Sequence, residues 1–223
     1  MTGASLLGGV PCGIVVGLAA EARVAAGWGL PVEIGGGTAA GAAQAADRLA
    51  LRVGAIVSFG LAGGLDPALT PGTLVIPTRV VDGKESWATD PQLNKALGGD
   101  TGHILIGGAP VLATADAKAR ARASTGAHAV DLESAAVARA AARHGLPFAV
   151  LRAICDPARS NLPHAALAAL DPAGRIGPWR VLAAMLGHPA ELPALITLAR
   201  DATRARRALV TRVAGTAALN AIP

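Results

Sequence analysis

AHAVDLESAAVARAAARHGLPFAVLRAICDPA, residues 127–158, reads as a short strand, a helix and a second strand, with acidic residues at both open ends. Residues 135–143 are Ala-rich and high in helix propensity. Gly145 stands where a helix end favours a left-handed residue, and Pro147 opens the next element. Residues 148–154 form an apolar, partly β-branched run of strand length, broken only by Arg152. In a parallel sheet, ligands gather beyond the carboxyl ends of the strands. Asp131 and Glu133 leave one strand at such an end and Asp156 leaves the other. Two neighbouring strands are therefore expected to deliver Glu133 and Asp156 to one crevice. Taken singly, each acid also has a plain structural reading: Glu133 as a helix cap, Asp156 as the start of a turn before Pro157.

The 223 residues fit one α/β domain, 1–223, large enough for a full core. Hydrophobic residues make up 52% and aromatics only 2%, which predicts helices packed closely on a sheet through small side chains. The net charge is +5, with much of the excess in the C-terminal third. No basic-plus-aromatic pattern points to nucleic acid. Cys12 and Cys155 lie far apart in apolar runs and read as buried thiols of a reducing compartment. Residues 1–20 carry no charge, yet they have no basic start, and Gly8, Gly9, Pro11 and Gly13 break any signal-peptide helix. The expectation is a soluble, cytoplasmic protein, with peripheral membrane contact left open.

Residues 13–18, GIVVGL, read as a buried first strand, followed by AAEARVAA as a helix or turn. Residues 34–46 satisfy GxGxxA through Gly35, Gly37 and Ala40, but a dinucleotide site needs an acid about 20 residues later. The segment there, VSFGL, has none. Residues 55–59 read as a central strand, and GLAGG, 60–64, as a loop whose bare backbone a ligand can approach. Residues 79–100 read as a surface excursion. Lys118, Arg120 and Arg122 read as a solvated helix face. A buried Arg152 must be paired, either with Glu21 or a ligand anion, or in a structural ion pair. No His or Cys spacing suits a metal.

VDLES (130–134) and RAICD (152–156) resemble the VEMES/VEME and RAISD motifs of the purine nucleoside phosphorylase and methylthioadenosine/S-adenosylhomocysteine nucleosidase superfamily. Residues 55–77, AIVSFGLAGGLDPALTPGTLVIP, resemble the same family's TGSAGGLxPxLxxGDIVV signature. The resemblance implies a three-layer α/β fold with a central, mixed, partly barrel-like sheet and a helical C-terminal annex over 160–223. It implies that Asp156 protonates the purine N7 and that Glu133 grips the ribose 2′- and 3′-hydroxyls, with Leu132 under the sugar and Asp131 beside it. Glu21 would activate the nucleophile, with Arg152 on the same side of the sugar. Gly60, Leu61, Ala62 and Gly63 would line the base and sugar region. Relatives stack an aromatic on the base from the loop holding Val111; here stacking is left to Phe59 or Trp87, or is replaced by aliphatic contact.

The PWRVLAAML and LPALITLARDATRARRAL segments resemble the tail of the hopanoid-associated branch, which removes adenine from adenosylhopane. The implied partners are a small-molecule nucleoside, lipid-linked in that branch, and further copies of the chain in a homo-oligomer. No cofactor is implied. Phosphate as co-substrate, a soluble adenosyl thioether as substrate and a non-catalytic nucleoside- or lipid-binding role stay open as alternatives.

Overall fold

The computed structural model describes residues 11–164, 166 and 189–220. PWRVLAAML lies outside the described residues. The N-terminal half supplies β1 (Cys12–Val16), α1 (Ala19–Ala25), a 3-10 turn (Ala26–Trp28), β2 (Val32–Ile34), α2 (Ala39–Ala50), β3 (Ala55–Gly64), β4 (Leu74–Val75), β5 (Arg79–Asp82), β6 (Glu85–Ala88) and α3 (Pro91–Leu97). The remainder supplies β7 (Ile104–Gly107), α4 (Ala115–Thr125), β8 (Ala129–Asp131), α5 (Ser134–Arg143), β9 (Phe148–Asp156) and α6 (Leu192–Asn220).

Period-two alternation sorts the central strands between two cores. In β3 and β9, Ile56, Phe148, Val150 and Ile154 join the cluster under α2 and α5, whereas Ala55, Val57, Phe59, Ala149, Leu151 and Ala153 face the other way. The first cluster is closed by alanines, Ala42, Ala45 and Ala46 of α2 against Ala138, Ala140 and Ala141 of α5, so the two helices approach closely. The second is closed by Trp28, by Leu93 and Leu97 of α3, and by Ala205, Leu209 and Val213 of α6. The architecture is a mixed sheet between two helical layers, with the C-terminal helix in one of them.

Each helix has a local reason to begin or end. Thr38 Oγ1 accepts from the Gly41 N–H at the start of α2. Asp131 does the equivalent for α5, its Oδ1 accepting from the Glu133 and Ser134 amides at 3.0 and 2.9 Å. Just beyond the end of α5, Gly145 adopts φ 64°, the left-handed exit expected for it. The inner face of α6 repeats every three or four residues through Asp201, Ala205, Leu209, Val213 and Thr216. Trp28 Nε1 donates to Thr216 Oγ1 at 2.8 Å and ties that helix to the 3-10 turn.

Several expectations change. Residues 60–64 are not a loop but the second half of β3, whose register on β9 slips between Ala62 and Gly63. Residues 79–100 hold two sheet strands, β5 and β6, and Val80 is fully buried. The nine-stranded sheet runs β2-β1-β3-β8-β7-β5-β6, with β9 on the other edge of β3 and β4 on β9, and it does not close into a barrel. Most consequentially, β8 and β9 are not neighbours in a parallel sheet. β9 lies parallel to β3 on one edge, whereas β8 lies antiparallel to the end of β3 on the other.

The packing face of α6 is testable. Leu209→Ala should cost about 2–5 kcal/mol in denaturant unfolding, since Leu209 is 1% exposed. Val210→Ala, at 48% exposure, should stay within about 0.5 kcal/mol of wild type.

Candidate active site

Because β8 runs against β3, the chain leaving it turns back toward the start of the Gly60–Gly63 segment, and β9 runs on past its end. Gly60 pairs with Arg152, and Gly63 pairs with both Val130 and Asp156. The three residue steps between Gly60 and Gly63 cover about 10 Å of strand. Two groups of side chains gather at its ends.

At the Gly60 end stands a buried polar cluster. Arg152 Nε pairs with Asp131 Oδ2 at 2.5 Å, and its Nη2 donates to Ser58 Oγ at 2.7 Å and Ser134 Oγ at 3.0 Å. The even-numbered face of β9 turns Arg152 toward the first turn of α5, which explains these partners. Glu21 Oε2 accepts from the Gly17 and Leu18 amides at 3.0 and 2.9 Å, and Oε1 from the Leu61 amide at 3.0 Å. Gly60 permits this crowding, for a Cβ there would collide with both Glu21 and Arg152. Glu133, 8% exposed, leans against Gly17, where an added Cβ would lie 2.6 Å from Oε2. Its side chain caps no helix, and its Oε1 is buried without a hydrogen-bond partner. Burial pushes the Glu133 carboxyl up to about 7 despite Arg152, with Asp131 and Glu21 adding repulsion.

At the Gly63 end a cavity of about 300 Å³ opens. Its walls are mainly aliphatic, including Leu61, Pro110, Val111, Leu112, Leu132, Leu162 and Leu198, with Ala62, Gly63 and Asp131 on the side of the polar cluster. Asp156 and Lys118 supply its charged atoms at the end of β9. Asp156 is 8% exposed, and burial raises its carboxyl above the ordinary aspartate range although Lys118 opposes the shift.

The expected residues thus divide. Leu61, Ala62, Gly63, Val111, Asp131, Leu132 and Asp156 line one cavity. Glu21, Gly60, Glu133 and Arg152 form the cluster behind it, joined to it through Asp131. Arg152 is held by Asp131 rather than by Glu21, which is the structural ion pair of the two readings. Phe59 does not belong: it is fully buried on the opposite face of β3, edge-on to Trp28 at 5.4 Å. Trp87 lies under the Arg139 guanidinium, outside the cavity, so the walls carry no aromatic from either candidate.

Sequence reasoning missed Lys118, which is 1% exposed rather than solvated, and Leu198 from α6. No local signal sets Lys118 apart, since Arg120 and Arg122 of the same helix stand between alanines as it does. Arg122, on the same helix, pairs with Asp66 at 2.8 Å. Cys155 also lines the cavity, its thiol pushed up to about 12 by burial. Both cysteines are free. Among the described residues no cluster of ligating side chains is placed to hold a metal, and no helix is long and apolar enough to cross a membrane.

The raised Glu133 carboxyl has a stability signature. The folded state binds its proton more tightly than the unfolded state, where the group titrates near 4.5. Stability is therefore lost as pH rises from about 4.5 to about 7, by about 3 kcal/mol for a shift of this size. Glu133→Gln should unfold at the same denaturant midpoint as wild type near pH 4 and at a higher one near pH 8. Parallel midpoints across that range would contradict the assignment.

Comparisons with known proteins agree with this frame. The structure of methylthioadenosine/S-adenosylhomocysteine nucleosidase from Neisseria meningitidis, in complex with methylthio-immucillin-A, superposes with a TM-score of 0.66 at 16% identity, covering 93% of this chain and 97% of that one. The corresponding nucleosidase from Colwellia psychrerythraea, in complex with adenine, gives 0.66 at 20% identity over 94% and 96%. S-adenosylhomocysteine nucleosidase from Streptococcus pyogenes gives 0.65 at 18% identity over 98% and 100%. At these identities the likeness is one of fold. No curated protein sequence matches the chain. Residues 15–173 of the 223 match the family described as the Phosphorylase superfamily, and the chain belongs to it.

Proposed function

We propose that the protein cleaves the N-glycosidic bond of a 5′-substituted adenosine and releases adenine. The observation that carries this reading is the pair of desolvated carboxyl groups at the two ends of the Gly60–Gly63 segment. Breaking the bond leaves positive charge on the ribose and negative charge on the base. Asp156, whose carboxyl burial raises above the ordinary aspartate range, gives its proton to purine N7 as the bond opens. Glu133, with an unpartnered buried oxygen, accepts hydrogen bonds from the vicinal ribose hydroxyls, and its charge favours the cationic sugar. Leu132 on the cavity wall packs under the sugar.

Electrostatics favour water over phosphate as nucleophile. At the Gly60 end, Asp131 neutralises Arg152, and Glu21 already occupies the Gly17, Leu18 and Leu61 amides that an anion would otherwise use. Two further carboxyl groups, Glu21 and Glu133, make this end repel a phosphate dianion. A neutral water bonded to Glu21 meets no such penalty, and Glu21 takes its proton during attack.

The aliphatic walls and the contribution of Leu198 suit an apolar 5′ group. Ile196 and Leu192, on the same helix, are 43% and 42% exposed. Adenosylhopane, a nucleoside whose 5′ carbon carries a polycyclic lipid, is the substrate we propose, and methylthioadenosine is its soluble competitor for the same site.

The test is chromatographic measurement of adenine from adenosylhopane and from methylthioadenosine, each with and without phosphate. Release from adenosylhopane at a higher kcat/KM, unchanged by phosphate, is expected. A phosphate requirement would convert the reading to phosphorolysis. Asp156→Asn should lower kcat by about 10²-fold or more without changing the thermal midpoint by more than a few degrees. A fully active variant would remove Asp156 from the chemistry, and a wild type inert toward every adenosyl nucleoside would leave a binding protein.

A further inference from the structure

Lys118 reaches the candidate site from α4, an element outside the motifs that mark it. Its ammonium group stands 2.7 Å from Asp156 Oδ1 and donates to the carbonyls of Pro157 at 3.0 Å and Ser160 at 2.9 Å. Its charge is thus met by one carboxylate and two carbonyl oxygens, and the side chain is 1% exposed. A buried ammonium is costly unless so compensated. Its position is fixed from both ends. Lys118 N donates to Thr114 O within α4. The 157–162 segment is tied to the start of that helix by Asn161 Oδ1, which accepts from Ala115 N, and by Leu162 N, which donates to Ala113 O.

We propose that Lys118 is a positioning residue for Asp156, acting through that carboxyl group to hold its Oδ1 so that Oδ2 faces the cavity and to stabilise the carboxylate left when the proton departs. The inference rests on the reading of Asp156 as the general acid. In the step itself the Oδ2–H bond breaks and the N7–H bond forms. The electron pair left on Asp156 is met by the Lys118 ammonium, which keeps its own three protons.

Among the described residues, three ionisable groups interact with Asp156. Lys118 comes from α4, Asp201 from the inner face of α6, and Cys155 precedes it in β9. Asp201 is itself paired with Arg204 at 2.9 Å and repels the Asp156 carboxylate weakly. Among the described residues Lys118 is therefore the cation that strengthens the acid against burial. Removing it should make Asp156 a weaker acid, protonated over a wider pH range yet slower to give its proton.

The experiment compares wild type, Asp156→Asn, Lys118→Met and Lys118→Arg in adenine release across pH 5–10. It uses whichever of methylthioadenosine or adenosylhopane the wild type turns over. Lys118→Met should move the alkaline limb of kcat upward by about one pH unit or more, and kcat at neutral pH should fall roughly tenfold while KM changes little. Lys118→Arg should restore the limb toward its wild-type position. In parallel, the side-chain carboxyl carbon of Asp156, followed by ¹³C NMR, should titrate at higher pH in Lys118→Met, and this readout needs no turnover. An unchanged limb and an unchanged Asp156 titration, with Asp156→Asn inactive, would overturn the role of Lys118 alone. A wild type inert toward both nucleosides would overturn the general-acid reading and this inference with it.

Discussion

A positive charge sealed in the middle of the sheet sets the terms for everything around it. Arg152 sits in β9 with 2% of its surface exposed, and a guanidinium in that position must be matched in charge and in hydrogen bonds. The match comes from four segments at once: Asp131 at the end of β8, Ser58 in β3, Ser134 at the start of α5, and the packing of Glu21 over Gly60. Asp131 serves twice, pairing with Arg152 through one oxygen and capping α5 through the other. The ion pair therefore fixes where α5 starts and, with it, where Glu133 points. Removing either partner would leave a buried, uncompensated charge, and the loss would fall on the site as well as on stability.

The two acids then differ in how their charge is handled, although burial raises both. Glu133 has Arg152 near it, but that arginine is already committed to Asp131, and the carboxylates of Asp131 and Glu21 push back. A backbone hydrogen bond from Gly37 opposes the shift, yet Oε1 remains buried without a partner. Asp156 has a cation of its own in Lys118 and mainly aliphatic cavity walls beyond it. One acid keeps a buried oxygen without a donor, while burial and a neighbouring cation pull the other in opposite directions. That asymmetry is what a reaction separating charge across a single bond requires.

Much of this was legible in the chain, for identifiable reasons. The helix from 134 to 143, its glycine exit and the strand carrying Arg152 follow from propensity and alternation within ten residues of sequence. Asp131, Glu133 and Asp156 could be singled out because together they bracket a strand–helix–strand unit and stand in the two motifs that carry the family resemblance. Strand direction was not. Residues 129–131 are too short a strand to declare a partner, and their antiparallel seat on β3 depends on β7 lying alongside. The continuation of β3 through GLAGG was hidden for the opposite reason, since glycines weaken strands in general and reveal a use only when side chains crowd against them. Phe59 was misread because alternation, counted one step at a time from Val57, carries it to the α6 face. Lys118 was misread because basic residues on an Ala-rich helix face solvent far more often than they enter a core.

The aliphatic lining bears on what the cavity can discriminate. Contacts from Leu61, Val111, Leu132, Leu162 and Leu198 are non-directional, and an extra or missing methylene in such a pocket changes binding by about 1–3 kcal/mol. On the proposed reading they would hold a base or an apolar substituent without telling one heterocycle from another. Discrimination must then come from directional groups, which among the described residues of the lining include Asp156, Lys118, Asp131 and the backbone of the Ala62–Gly63 segment. On the proposed reading, a base lacking a basic ring nitrogen opposite Asp156 would leave that carboxyl group with Lys118 alone. A base that presents one would satisfy it and be activated by the same contact. If Asp156 acts as we propose, the group that selects the leaving base is the group that helps it leave, so selectivity and rate rise or fall together.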